Sequence, residues 1–220
     1  MDIAHNIEAV RERIARAASK AGRSPDDIMI VAVTKGVEES SILGAIEAGI
    51  KDFGENRVQE AERKIMRLSD QGVHPAWHMI GHLQRNKVQT ALKIFDIIQS
   101  IDSIRLAQSI SEQAERVVPV LLQANVAGEE TKGGFGTDEL REAVTEISRL
   151  PNLSIMGLMT IAPMVDNPED VRPVFKELRR LRDSFGLEHL SMGMSNDFEI
   201  AIEEGATMVR LGRIIFGERQ

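Results

Sequence analysis

A chain of 220 residues, 42% of them apolar, can bury a sizeable core as one large domain or two small ones. A formal net charge of -7 argues against a general nucleic-acid or anionic-membrane surface, while leaving room for a local basic pocket. The chain has no cysteine, which excludes disulfides, thiol nucleophiles and cysteine metal sites, and no tyrosine, which removes a common general base.

The start, Met1-Asp2-Ile3-Ala4-His5, shows no cationic region followed by an apolar one. No apolar run reaches membrane-spanning length, so a cytoplasmic protein without a membrane partner is the expectation. From Ile3 to Lys20, the spacing of Ile7, Val10, Ile14 and Ala17 predicts an amphipathic helix that Gly22 and Ser24-Pro25 end. The apolar run Ile28 to Thr34 predicts the first strand, and Glu39 to Ala48 a helix closed by Gly49. Lys51 to Phe53 is the second strand, followed by Gly54-Glu55-Asn56 and a helix with Val58, Ala61, Ile65 and Leu68 on one face.

Trp77 to Ile80 is the third strand, ended by Gly81-His82, with a helix over Leu83 to Leu92. Asp96 to Ser100 is the fourth, and Ile104, Ala107 and Ala114 mark the next helix. Val118 to Asn125 is the fifth; a glycine-rich stretch from Gly128 to Gly134 then precedes a helix that Thr137 is placed to cap. Leu153 to Thr160 is the sixth, and Val171, Val174, Leu178, Leu181 and Phe185 form the clearest helical stripe in the chain. His189 to Met192, a short helix opened by Asn196 or Asp197, Thr207 to Leu211 and a last turn over Ile214 to Phe216 complete the pattern.

Eight strands thus alternate with helices, every connection is long enough for a crossover, and the strands are apolar runs, as in sheets covered on both faces. No linker divides the chain. The expectation is one α/β domain over residues 1–220, a TIM (β/α)8 barrel with an extra N-terminal helix; a doubly wound open sheet is the competing arrangement.

In a barrel, chemistry gathers at the C-terminal ends of the strands. Lys35 stands there, after Val31-Ala32-Val33-Thr34, where an amine can be tuned into a nucleophile; the ordinary alternative is a strand that ends in charge as it meets water. After the seventh and eighth strands come Gly193-Met194-Ser195-Asn196 and Leu211-Gly212-Arg213, each opening a short helix. Barrels bind phosphate between these two loops through backbone N–H groups, and Ser195 adds a hydroxyl.

A phosphate site facing an amine fits two ligand classes: a phosphorylated sugar on a Schiff-base aldolase, or pyridoxal phosphate. The second gives Arg210 a role, because a guanidinium facing the pyridine nitrogen must donate to it and leaves the ring a weaker electron sink. An aldolase needs a carboxylate or tyrosine near the lysine, and Glu55 is the obvious candidate. The five histidines show no metal-ligand spacing: His78 reads as a barrel histidine, and His82 as either a ligand contact or a loop anchor. Residues 128–134 read as a flap or a solvated loop, Arg179, Arg180 and Arg182 as solvated charge, and most methionines as core filler.

Eight segments together resemble the pyridoxal phosphate homeostasis protein family. They are Val31-Ala32-Val33-Thr34-Lys35, Phe53-Gly54-Glu55-Asn56, Val58-Gln59-Glu60, His78 to Lys87, Gly128 to Gly133, Gly157 to Ile161, Ser191-Met192-Gly193-Met194-Ser195 and Val209 to Gly217. The resemblance covers nearly the whole chain. It implies a barrel like the alanine racemase N-terminal domain, with pyridoxal phosphate held as a Schiff base on Lys35. It also implies a role in cofactor supply and vitamin B6 balance without established turnover. Carried over position by position, it puts Asn56 near the cofactor ring, Ser195 and the backbone N–H groups of Gly212 and Arg213 on the phosphate, and Arg210 at the pyridine nitrogen. Thr34, Arg57 and Asn196 depart from the usual serine, tyrosine and aspartate, and Arg57 leaves the pocket edge open.

A pyridoxal phosphate-dependent amino-acid racemase is the alternative function. Racemisation needs a base on each face of the cofactor; Lys35 serves one, the related racemases use a tyrosine from a C-terminal domain for the other, and this sequence has no tyrosine. A missing base typically forfeits about 10²–10⁴-fold in rate. The expectation is therefore a cofactor carrier without a catalytic residue set, monomeric or weakly dimeric, with transient contact to apo-enzymes as its partner class; a colourless scaffold is the third reading.

Overall fold

The computed structural model describes residues 2–129 and 132–217. Its eight strands are β1 (Met29–Val33), β2 (Asp52–Glu55), β3 (Ala76–Met79), β4 (Ile97–Ile101), β5 (Val118–Gln123), β6 (Leu153–Met159), β7 (His189–Ser191) and β8 (Met208–Leu211). They pair in sequence order, all parallel, and β8 closes onto β1. The open-sheet alternative is thereby excluded. Helices α2 (Glu39–Glu47), α3 (Val58–Asp70), α4 (Val88–Ile94), α5 (Ile104–Gln113), α6 (Leu140–Ile147), α7 (Arg172–Ser184) and α8 (Phe198–Glu203) follow the first seven strands, and α9 (Arg213–Phe216) follows β8. The extra N-terminal helix is α1 (Ile3–Lys20), whose buried Ile7, Val10, Ile14 and Ala17 are the predicted stripe and which packs against α8, α9 and α2.

Two apolar clusters hold this arrangement. The larger lies between the helices and the outer faces of the strands, and includes Ile42, Phe53, Leu68, Phe95, Ile110, Phe175, Leu178 and Phe198. Burying each such side chain contributes roughly 1.5–3 kcal/mol relative to exposure. The smaller, Val31, Leu121, Met159 and Met208, lies inside the barrel with Met29, Ile97 and Ile161 packed on it. Because side chains alternate across a strand, the residues two positions beyond Val31, Ile97 and Met208 share that interior, and His78 and Ser191 join it through hydrogen bonds to Gln99. Several of these are polar: His78, Gln99, Ser191 and Arg210 are all buried.

Element ends differ from expectation where a polar side chain finds a buried partner. The second strand runs through Glu55, because that carboxylate is enclosed and bonded to Thr34. The fifth strand stops at Gln123, since Asn125 is taken up by side-chain bonds to Glu129 O and Lys132 O in the following loop. The helix expected from Leu83 begins as a 3-10 turn at Arg85, because Leu83 is buried in the loop. Thr137 does not cap α6; Glu139 holds that corner by accepting from the Gly136 N–H. Arg182 is not simply solvated charge: its guanidinium donates to Glu188 O and pairs with Asp183, tying the end of α7 to the approach of β7. Part of the 128–134 loop, Glu130-Thr131, lies outside the described residues.

Candidate functional site

Lys35 sits in the turn directly beyond β1, and α3 grips the backbone on both sides of it. The Lys64 ammonium donates to the Thr34 carbonyl at 2.5 Å, and the Gly36 N–H donates to Glu60 Oε1 at 2.7 Å. Lys64 also bridges Glu55 Oε1 and Glu60 Oε1 at 2.6 and 2.8 Å, and the Thr34 hydroxyl donates to Glu55 Oε1 at 2.6 Å. Glu60 and Lys64 stand four residues apart, one turn of α3, which is why they meet.

The two carboxyls of this cluster move in opposite directions. Desolvation pushes Glu55 above the ordinary carboxylate value, and the bonds from Lys64 and Thr34 offset only part of it. Its Oε2 is buried without a hydrogen-bond partner. Burial acts the same way on Glu60, but there the Gly36 N–H and Lys64 outweigh it and hold the group below its usual value.

Two cavities open beside this turn. The first, about 400 Å³, is lined by Val33, Asn56, Ile80, Lys132, Met194, Ser195, Asn196, Arg210, Gly212 and Arg213, among others. Its loops are set by local packing. Gly193 has φ +91°, and a Cβ there would fall 2.6 Å from the Ala201 Cβ and 2.9 Å from the Phe198 Cα. Only glycine therefore lets the loop after β7 lie this close to α8. Asp197 Oδ1 accepts from the Met194 N–H at 2.6 Å, fixing the turn that carries Ser195. Burial raises Asp197, against the pull of that N–H and of Arg210.

Arg210 is almost wholly enclosed. Its guanidinium donates to Ser191 Oγ and to the Thr160 carbonyl, both at 2.7 Å. Burial pushes it down to about 10, against the opposing effect of Asp197, so it remains cationic at neutral pH. Among the described residues, the N–H groups of Ser195, Asn196 and Arg213 donate to no protein acceptor. Arg213 opens α9, where the first N–H groups lack an intrahelical partner.

The second cavity, about 420 Å³, is lined by Lys35, Asn56, Arg57, Val58, Gln59, Gly81, His82, Gln84 and Lys87. Lys35 thus lines the neighbouring cavity rather than the one that gathers Ser195, Arg210, Gly212 and Arg213, and Asn56 is the side chain common to both. Its Oδ1 is buried and unpartnered. Gly81 makes room for it: a Cβ at Gly81 would lie 2.3 Å from the Asn56 carbonyl oxygen. His82 anchors its loop, with Nδ1 at 2.6 Å from Asp102 Oδ2, and also lines this second cavity. His78 is the enclosed barrel histidine the sequence pointed to, bonded to Asp52 and Gln99.

All six residues singled out from the sequence, Lys35, Asn56, Ser195, Arg210, Gly212 and Arg213, therefore line one of these two adjoining cavities at the C-terminal end of the barrel. Of the residues that hold them, Glu60, Thr160 and Ser191 stand in the segments that carry the family resemblance but were given no role from the sequence, and Lys64 and Gln99 were not singled out. For Lys64 the signal is its spacing from Glu60 on a helix; Gln99 is an ordinary strand residue until the barrel closes.

Residues 3–220 match the family described as "Alanine racemase, N-terminal domain". The barrel is similar to that of the alanine racemase of Corynebacterium glutamicum, at 17% identity and a TM-score of 0.70, covering 96% of this chain and 61% of that one. The fold is thus a barrel of the alanine racemase N-terminal type. Closer likeness lies elsewhere. The chain is 44% identical over 229 aligned positions to the pyridoxal phosphate homeostasis protein of Aquifex aeolicus, covering 100% of both. It is 33% identical, with a TM-score of 0.85, to PipY of Synechococcus elongatus PCC7942, a structure described as having PLP bound, covering 98% of this chain and 100% of that one. The chain belongs to the pyridoxal phosphate homeostasis protein family.

Proposed function

We propose that this chain binds pyridoxal 5'-phosphate and serves the homeostasis of that cofactor, as a carrier and regulator rather than a catalyst, with residues 1–220 acting as one cofactor-binding barrel domain. The observation that carries the reading is that two adjoining cavities at one end of the barrel, joined at Asn56, are lined the one by Lys35 and the other by a guanidinium, a serine and free backbone N–H groups. Four relations support the fit of this cofactor. Asn56, whose buried Oδ1 has no partner, lines both cavities and would be the residue to meet the ring. Ser195 and the N–H of Arg213 are donors suited to a phosphate, and Gly212 adds no side chain between them. Arg210 offers a donor that stays protonated, which suits an unprotonated ring nitrogen. Lys35 is held by its backbone, leaving its side chain to reach the ligand.

When bound, pyridoxal phosphate supplies an aldehyde open to attack by an amine and a conjugated ring able to draw electrons from it. Lys35 is the residue that would hold the aldehyde carbon. Asn56 would orient the ring, Ser195, Gly212 and Arg213 would hold the phosphate, and Arg210 would keep a proton off the pyridine nitrogen. A ring nitrogen without a proton draws electrons weakly, which favours holding the cofactor over turning substrate over. The sequence offers no tyrosine as a second base, and His82 is occupied with Asp102. These facts favour a carrier over the racemase alternative. We extend the proposal to a cytoplasmic location and to transient contact with apo-enzymes that need the cofactor.

The test is direct. Adding pyridoxal phosphate to the purified protein should give a coloured species that borohydride fixes, with the label on the peptide containing Lys35. Lys35→Ala should lose the fixed label. A label that persists elsewhere in that variant overturns the assignment, and sustained racemisation of a free amino acid at about 10 s⁻¹, an ordinary turnover, overturns the carrier reading.

A further inference from the structure

A line of side chains crosses the interior of the barrel from one end to the other. Arg210 Nη1 donates to Ser191 Oγ at 2.7 Å, and the Ser191 hydroxyl donates to Gln99 Oε1 at 2.6 Å. Gln99 Nε2 stands 2.8 Å from His78 Nδ1, and His78 Nε2 stands 3.1 Å from Asp52 Oδ1. Ser191, Gln99 and His78 are fully enclosed, whereas Asp52, the first residue of β2, lines a cavity with Met29, Ile30 and Lys51 at the opposite end. The order follows from strand register: Gly54 lies beside His78, so Asp52 starts the same strand two residues nearer the barrel floor.

The donors and acceptors of this line run in one direction only. A guanidinium can only donate, so Ser191 Oγ accepts from it and turns its own proton to Gln99 Oε1. That places the Gln99 amide nitrogen toward His78, and Met208 Sδ, 3.6 Å from the same nitrogen, accepts its other proton. His78 Nδ1 must then be an acceptor, which leaves the proton on Nε2, where Asp52 receives it. Reversing the amide would aim its oxygen at the Met208 sulfur, deprive the Ser191 proton of its Gln99 acceptor, and require a proton on His78 Nδ1. The line thus begins at a buried cation, ends at a carboxylate, and has every link satisfied in a single sense.

We propose that Ser191, Gln99, His78 and Asp52 are positioning residues for Arg210, forming a directional wire by which a carboxylate at the barrel floor orients the guanidinium at the cofactor end. Nη1 and Nη2 each spend one proton inside the barrel, on Ser191 and the Thr160 carbonyl, and Arg210 lines the first cavity. The enclosed partners, Ser191 held through Gln99 and His78 to Asp52, fix where that guanidinium plane stands. The inference rests on Arg210 facing the cofactor ring only in its second arm below.

The first arm uses the protein without cofactor. Nitrogen-15 NMR of the His78 ring should show a neutral imidazole protonated on Nε2 and bare at Nδ1. A ring protonated on Nδ1, or on both nitrogens, overturns the wire. The second arm titrates pyridoxal phosphate into the parent, His78→Leu and His78→Gln, following absorption, with thermal unfolding run alongside. His78→Leu cuts the wire and should weaken binding about tenfold, the usual weight of one charge-assisted hydrogen bond, and shift the absorption maximum.

His78→Gln should restore both, because its amide can accept from Gln99 and donate to Asp52. Equal behaviour of the two variants overturns the proposal. Should the interior variants fail to fold, Asp52→Asn keeps the acceptor, loses the charge, and sits at the half-buried end; it should shift the absorption in the same direction by less, and an unchanged spectrum and affinity overturns the coupling. A parent that binds no pyridoxal phosphate would instead overturn the functional reading, with the His78 tautomer still decided by the first arm.

Discussion

Glu55 and Glu60 are a few ångströms apart on the same ammonium and titrate in opposite senses. The Glu55 carboxyl is raised by burial, so its contribution to stability is present below the ordinary carboxylate value and is lost as pH rises through its folded value. Glu60 is lowered, so its contribution is present above the ordinary value and is lost as pH falls. Removing Glu55 as Glu55→Gln should therefore make the variant progressively more stable relative to the parent as pH rises above the usual carboxylate range. Glu60→Gln should do the reverse below it. Denaturant unfolding of the three proteins across that range reads both signs. At Arg210, burial lowers the guanidinium yet leaves it charged at neutral pH, and Arg210→Met should weaken pyridoxal phosphate binding and shift its absorption. An unchanged spectrum would mean that the ring nitrogen meets something else.

Among elements, α3 does more than cover the sheet. Through Glu60 and Lys64 it holds the turn after β1, so the position of Lys35 depends on how α3 docks. Lys64→Met removes the partner of an enclosed carboxylate and should cost about 3–5 kcal/mol of stability, measured by denaturant unfolding, and slow the borohydride-fixed labelling of Lys35. The loop after β7 is set by backbone shape instead. Gly193→Ala should cost about 2–4 kcal/mol, from left-handed strain and from overlap with α8, with melting temperature as the measure.

Much of this level was legible beforehand. The stripe on α1, the apolar runs of β1 and β8, and the glycines ahead of α8 and α9 each follow from local periodicity or turn chemistry. The end of β2 was not, because a glutamate at a strand terminus reads as solvent-facing until Thr34 and Lys64 are brought against it. Arg182 failed for the same reason: its partner carbonyl, Glu188 O, is supplied by the turn after α7.

For the molecule as a whole, closure of the sheet is what turns scattered polar residues into a site. No helix among the described residues is long and apolar enough to cross a membrane, and none of their His, Asp and Glu groups is arranged to hold a metal ion. Among the described residues, the large apolar side chains that are exposed are Met66 on α3, Val117 ahead of β5, and Met164 and Met194 at the first cavity. No broad apolar face joins these four, so sedimentation should give the mass of one chain or a weak, concentration-dependent dimer. A carrier should also release its cofactor to an apo-enzyme faster than the same amount of free pyridoxal phosphate supplies it. Equal rates would leave the protein a store rather than a donor.

The sequence by itself determined the alternation of strands and helices, the lysine at the end of the first strand, the two glycine-bearing loops after the last two, and the family. All of these are written in local spacing or in ordered motifs. Only the tertiary structure decided that Lys35 and Arg210 line separate but adjoining cavities with Asn56 between them, that Glu60 and Lys64 hold the lysine's turn, and that Asp52 is linked to Arg210 across the barrel. Those relations join residues from different strands and helices. Their energies come from burial and from hydrogen-bond direction, which exist only once the barrel has closed.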